Sequence, residues 1–137
     1  MEMMSLIYVS KSTIPPDIEE NEVEKIVATA NYHNPSIDIT GALLFTGSKF
    51  AQVLEGHASD IDELLLSIRK DHRHRDIVVM DHRPLVARRF PDWSMAYSGP
   101  SPFVAGFVTR LLNASSQLEH REATTWLADL MSAFSRK

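Results

Sequence analysis

The chain has 137 residues, 44% of them hydrophobic and 23% charged, a balance that fits one ordinary folded domain and excludes a disordered one. A formal net charge of −4 argues against a protein that grips nucleic acid by neutralising phosphates, and the lack of cysteine excludes disulfides, thiolate nucleophiles and Cys-ligated metals. No apolar run reaches the roughly 18 residues of a membrane span, and MEMMSLIYVS lacks the basic start of a signal peptide, so a cytoplasmic protein without a membrane partner is expected.

Residues 5–10 read as a first strand, with Leu6 and Tyr8 on one face and Ile7 and Val9 on the other. Beyond Pro15 and Pro16, the residues Val23, Ile26, Val27 and Ala30 fall at i, i+3, i+4 and i+7, the stripe of an amphipathic helix. Asn21 with Glu24 is the expected cap for its start, and Pro35 is expected to end it just after His33 and Asn34. Residues 38–46 and 50–55 then form two strands joined around Thr46-Gly47-Ser48-Lys49.

A second helix follows, capped by Ser59 or Asp60 and carrying Ile61, Leu64, Leu65 and Ile68 at the same spacing. Residues 76–81 read as a strand, and 93–98 as a last one with Trp93, Met95 and Tyr97 on one face. The order β-α-β-β-α-β-β defines an α+β fold, a ferredoxin-like sheet with two helices on one face. Two C-terminal helices are expected, one with Val104, Phe107, Val108 and Leu111, the other with Ala123, Leu127, Leu130, Met131 and Phe134. They are the candidates to cover the other face, where Ala51 and Val53 are apolar as well.

Two polar groups interrupt the first face. Gln52 lies between Phe50 and Leu54 in FAQVLEG, so its amide points with them into an apolar layer, and Tyr8 in LIYVS carries a hydroxyl into the same layer. Burying an unpaired amide costs about 1–3 kcal/mol, so these groups point to a buried polar ligand. Taken singly each candidate has a plainer explanation. A strand glutamine is usually satisfied by backbone, Asn34 before a proline can turn the chain, and Trp93 and Met95 can be ordinary core. His72-x-His74 lies within a basic helix end and lacks a third ligand, so no metal site is expected.

In combination, Tyr8, Asn34, the hairpin ITGALLFTGSKFAQVLEG and the segment RRFPDWSM resemble the BLUF domain, a flavin-binding blue-light photoreceptor module. The resemblance covers about residues 4 to 98 and implies a photosensor domain over 1–98 with a C-terminal helical cap or output region over 99–137, as in short single-domain members. It implies non-covalent FAD, with FMN or riboflavin possible, and a ring lying between the two helices. Tyr8, His33, Asn34, Gln52, Arg73 and His74 are the implied flavin-binding residues: Gln52 bonds the ring and Tyr8, Asn34 holds the polar ring edge, and Arg73 and His74 lie by the sugar-phosphate tail. Tyr8, Gln52, Trp93 and Met95 are the implied photochemical set, with Gln52 rotated or converted to a tautomer by light. Ala51 stands where bulkier residues are common, but it faces away from the ring.

The implied activity is a switch without turnover, signalled to a separate effector protein. The wide apolar stripes of the C-terminal helices, Phe103, Phe107, Leu111 and Leu112 in one and Trp126, Leu127, Leu130 and Phe134 in the other, lead to the expectation of a homodimer. Two other classes compete. A hydrolase of the same topology needs a phosphate-cradling loop with arginine and glycines after the first strand, and SKSTIPPD has neither. A flavin-free regulatory module needs nothing more than the sheet, and the colour of the purified protein separates it from a flavoprotein.

Overall fold

The computed structural model describes residues 2–99, 105–106, 108–110 and 117–135. Strand β1 (Met3–Ser12) leads through a short 3-10 turn (Pro16–Ile18) into helix α1 (Glu19–Ser36). The hairpin of β2 (Thr40–Phe45) and β3 (Lys49–His57) follows, then helix α2 (Ala58–Arg69), β4 (His74–Pro84) and β5 (Trp93–Ser98), with helix α3 (Gln117–Ser135) at the end. The strands form one five-stranded sheet in the order β4-β1-β3-β2-β5. Its first four members pair antiparallel, while β5 joins the edge parallel to β2.

Strand alternation divides the core into two layers, as expected for an α+β sheet covered on both faces. Leu6, Tyr8, Leu43, Phe45, Phe50, Leu54 and Trp93 face α1 and α2, which contribute Val23, Ile26, Val27, Ala30, Ile61, Leu64, Leu65 and Ile68. Ile7, Val9, Ala42, Leu44, Ala51 and Val53 face the other way, against Phe90, Val108 and the α3 residues Leu127, Ala128 and Met131. The small side chain of Ala51 thus lies beneath this second layer, on the face away from Tyr8 and Gln52. Residues 105–106 and 108–110 are helical. Phe103, Val104, Phe107, Leu111 and Leu112 lie outside the described residues, as do the side chains of Ala123 and Phe134. Trp126 is exposed, with the Arg110 guanidinium 4.6 Å from its ring centre.

Several sequence expectations require correction. Helix α1 begins at Glu19, so Asn21 lies inside its first turn instead of capping it, and the N-cap position is Ile18, which offers no side-chain hydrogen bond. The acidic first turn, with Glu19, Glu20 and Glu22, suits the positive end of the helix. Pro35 does not stop α1 before it: the helix continues to Ser36, because a proline this near the end removes only one intrahelical donor. Asp38, with φ of 55°, then takes the left-handed conformation that turns the chain into β2. Helix α2 begins at Ala58, so neither Ser59 nor Asp60 is the cap. Strands β1, β3 and β4 run beyond their apolar cores, since backbone pairing with a neighbour extends a strand through polar residues.

Tyr97 does not share a face with Trp93 and Met95. Leu43 pairs with Met95 but Leu44 pairs with Tyr97, so a bulge at Ala96 shifts the alternation. Tyr97 packs against the α3 layer while Trp93 and Met95 remain on the other.

Candidate functional site

Tyr8 and Gln52 are directly opposed across the β1–β3 pair, and their side chains project to the α1–α2 face. Gln52 Nε2 donates to Tyr8 Oη at 2.6 Å. The other end of the amide is taken from β5, where Trp93 Nε1 donates to Gln52 Oε1 at 2.9 Å. An indole N–H can only donate, so the amide end facing Trp93 must be the oxygen and the end facing Tyr8 the NH2 group. All three side chains are buried. Burial pushes the Tyr8 phenol well above its ordinary pKa of 10.0, with the Gln52 hydrogen bond offsetting part of the rise and Asp71 adding to it.

These groups open onto a cavity of about 410 Å³ between α1 and α2. Ile26, Ala30, Leu64 and Ile68 give it apolar walls, Leu43, Phe50, Tyr8, Gln52 and Trp93 form its floor, and His33 and Asn34 close one end. The volume lies within the range of small-molecule sites. Asn34 is buried in the last turn of α1, where its main-chain carbonyl accepts from Ile39 N–H at 3.0 Å. Its side-chain amide lines the cavity and makes no hydrogen bond to any described residue. His33 is exposed. Met95 packs on the same core layer but is not part of the cavity wall.

At the mouth, Arg73 binds Asp71 in a two-point contact, Nε to Oδ1 at 2.9 Å and Nη2 to Oδ2 at 2.7 Å, and lies 3.6 Å from Glu22 of α1. The hydrogen bond to Arg73 holds the Asp71 carboxyl below its usual range, and Asp71 in turn raises Arg73. His74 is held at both nitrogens, Nδ1 to Ser10 Oγ at 2.7 Å and Nε2 to the Ile68 carbonyl at 2.7 Å. Only a ring N–H can satisfy that carbonyl, so Nε2 carries a proton. The ring stands edge-on to Phe50, with centres 5.9 Å apart, and 6.2 Å from Tyr8.

Among known proteins, the family model described as sensors of blue-light using FAD, the BLUF family, matches residues 3–96. The chain is a member of the BLUF family. It is 33% identical over 90 residues to the photoactivated adenylate cyclase subunit beta of Euglena gracilis, covering 66% of this chain and 10% of that protein. It is 40% identical over 90 residues to the blue light- and temperature-regulated antirepressor BluF of Escherichia coli (strain K12), covering 64% of this chain and 21% of that one. The chain thus spans about a tenth to a fifth of these relatives' lengths. The dark-state structure of the BLUF protein BlrB superposes with a TM-score of 0.77 at 32% identity, covering 96% of each chain. The likeness is to a family of flavin-binding blue-light sensors, and the cyclase relative is matched over 90 residues, a tenth of its length.

The residues of this BLUF domain fit a flavin. A cavity with aliphatic walls suits an aromatic ring system, while the unengaged Asn34 amide, with both donors and an acceptor, suits the ring's polar edge. Tyr8, His33, Asn34, Gln52, Trp93, Arg73 and His74 are thus gathered around one cavity, and Met95 stands beside it. Sequence reasoning missed Ser10, Asp71 and Glu22, which hold His74 and Arg73. Ser10 carried a signal, for it continues the alternation of Leu6 and Tyr8; Asp71 and Glu22 meet Arg73 only through the approach of two separate elements.

Proposed function

We propose that this BLUF domain signals by turning the Gln52 amide between Tyr8 and Trp93, with FAD as the flavin and β5 as the first element of the output. The observation that carries this reading is the Gln52 bridge, which ties a group on the cavity floor to an edge strand. Bound flavin supplies the blue absorption and a transient acceptor for an electron and a proton. Tyr8 is the matching donor: its raised pKa keeps the phenol protonated through ordinary pH, with the proton available at Oη. After half a turn of the amide, Oε1 accepts from the Tyr8 hydroxyl and Nε2 confronts the Trp93 N–H, donor against donor. One buried contact must then open, at a cost of about 1–3 kcal/mol, so the Gln52 orientation and the placement of β5 become two states of one element.

Asn34 holds the polar edge of the ring and His33 closes that end. Arg73 serves the phosphate tail from the mouth of the cavity, with its Asp71 and Glu22 partners limiting the net positive charge it offers, and His74 packs near it. Residues 99–137 act as an output region that supports a homodimer and meets a separate cytoplasmic effector, with α3 covering the sheet face away from the cavity. The relatives' names, a cyclase subunit and an antirepressor, favour an effector in nucleotide signalling or transcription control. Purified protein is expected to be yellow and to show a reversible red shift of its flavin band under blue light. Folded protein that carries flavin without any light-induced shift would defeat the reading, and unchanged hydrogen exchange in residues 99–137 between dark and light would defeat the output route.

A further inference from the structure

Glu55 is a fully buried carboxylate on the sheet face opposite the cavity. Its Oε1 accepts from the Thr40 hydroxyl at 3.0 Å and from the Phe90 N–H at 3.1 Å, and its Oε2 accepts from the Arg89 N–H at 2.9 Å. Arg89 Nε lies 3.8 Å from Oε2, and Arg88 ties the same corner by donating to the Glu55 carbonyl, Thr40 Oγ1 and Asp38 Oδ2. The carboxylate therefore fixes two consecutive backbone N–H groups of the loop that enters β5. Phe90, the second of them, is buried in the α3 layer, and Trp93, three residues on, is buried in the α1–α2 layer. The segment 88–93 passes around the end of the sheet from one face to the other, and Gly41 N–H holds it on the way by donating to the Asp92 carbonyl at 3.0 Å.

We infer that Glu55 is a positioning residue for the light switch: from the far face of β3 it seats Trp93 against the Gln52 amide, three residues away on the same strand. The inference rests on the blue-light reading only for its consequence in light; the seating itself belongs to the dark state. The geometry supplies the reason. Residues 90 to 93 are a short span, constrained further by Pro91, so the position of Phe90 N–H limits where the indole can go. A loosened loop lets β5 slide against β2, where five of its six residues pair and the register already shifts at Ala96. The segments LEG and RRF are then two halves of one clasp whose output is the Trp93 hydrogen bond.

The test uses the full chain loaded with FAD, labelled at the indole nitrogen and carrying Trp126→Phe, so that of its two tryptophans only Trp93 reports. Glu55→Gln keeps the shape but turns an NH2 group on donors that need an oxygen. It is expected to speed exchange of the Arg89 and Phe90 amides about tenfold and, with them, exchange of the Trp93 indole proton, whose resonance moves toward that of an unbonded indole. The flavin band still shifts in light, because Tyr8 and Gln52 are untouched. Faster exchange at residues 89 and 90 with an unmoved Trp93 indole overturns the proposal and leaves Glu55 a loop anchor only. Where Glu55→Gln fails to fold, Thr40→Val, which removes one bond to Oε1 together with the Arg88 bond to Thr40 and leaves no altered charge, decides alongside Arg88→Lys as its control: an indole displaced in Thr40→Val beyond its shift in Arg88→Lys supports the seating, and one displaced no further overturns it. If the parent chain shows no light-induced shift, the blue-light reading fails, while the dark indole comparison still decides the clasp.

Discussion

Trp93 Nε1–H donates to Gln52 Oε1 at 2.9 Å across the intervening strand β2, so a residue at the sheet edge reads the orientation of an amide in the cavity floor. That bond fixes which end of Gln52 meets Tyr8, and it makes the two contacts of the amide mutually dependent.

Gln52→Leu removes both contacts at nearly constant volume. The expected outcome is retained flavin with complete loss of the light-induced red shift in absorbance. Tyr8→Phe deletes the hydroxyl alone and is expected to abolish the shift too; a normal red-shifted photoproduct in that variant contradicts the donor role of Tyr8. Each substitution leaves a buried polar partner unsatisfied in part, so a stability loss of about 1–2 kcal/mol accompanies the spectral change.

Asn34→Ala is expected to weaken flavin retention about tenfold or more, as judged by the flavin released on dialysis, because it removes an amide aimed into the cavity. The Tyr8–Gln52–Trp93 bridge is untouched, so the fraction of protein still loaded should give a red shift of ordinary size. Loss of the shift at full loading would instead place Asn34 in the switch.

Gly41→Ala tests the hairpin. Gly41 has φ of 147°, and a Cβ there would run into the Val53 carbonyl of β3. Denaturant unfolding is expected to show a loss of about 2–4 kcal/mol, since a backbone atom cannot yield as a side chain does. A loss below about 0.5 kcal/mol would mean that the hairpin shifts its register to accommodate the methyl group.

Acid should weaken the mouth of the cavity. The Asp71 carboxyl titrates below its ordinary 3.8 in the folded chain, so its ion pair contributes stability at pH values above that figure and loses it as pH falls through the lower, folded value. The pair is partly exposed and solvent screens it, which limits the contribution to less than about 1 kcal/mol. Asp71→Asn is expected to remove that part of the acid dependence in thermal unfolding measured between neutral pH and about pH 3. An acid limb identical in the variant and the parent would show that the pair contributes nothing to stability.

The sequence by itself determined the elements and the two-faced sheet, because these follow from periodicities that each strand or helix carries alone; His33, Asn34, Arg73 and His74 were implied only by the family resemblance. Period 2 sent Tyr8, Phe50, Gln52 and Leu54 to one face, and period 3.6 gave α1 and α2 their inward stripes. The combination of Tyr8, Asn34, FAQVLEG and RRFPDWSM identified the family, which the match over residues 3–96 bears out. Element ends were less legible, since Pro35, Asn21 and Ser59 are signals whose effect depends on where neighbouring backbone pairs. Only the tertiary structure decided the rest. The bulge that turns Tyr97 away from Met95 arises from pairing with β2, and the pairing of Arg73 with Asp71 and Glu22 arises from the approach of α1 to the loop after α2. Glu55 shows the limit most plainly: in the sequence it is one polar residue in a strand, and its role appears only when Arg89 and Phe90, more than thirty residues later, bring their N–H groups to a carboxylate that no water reaches.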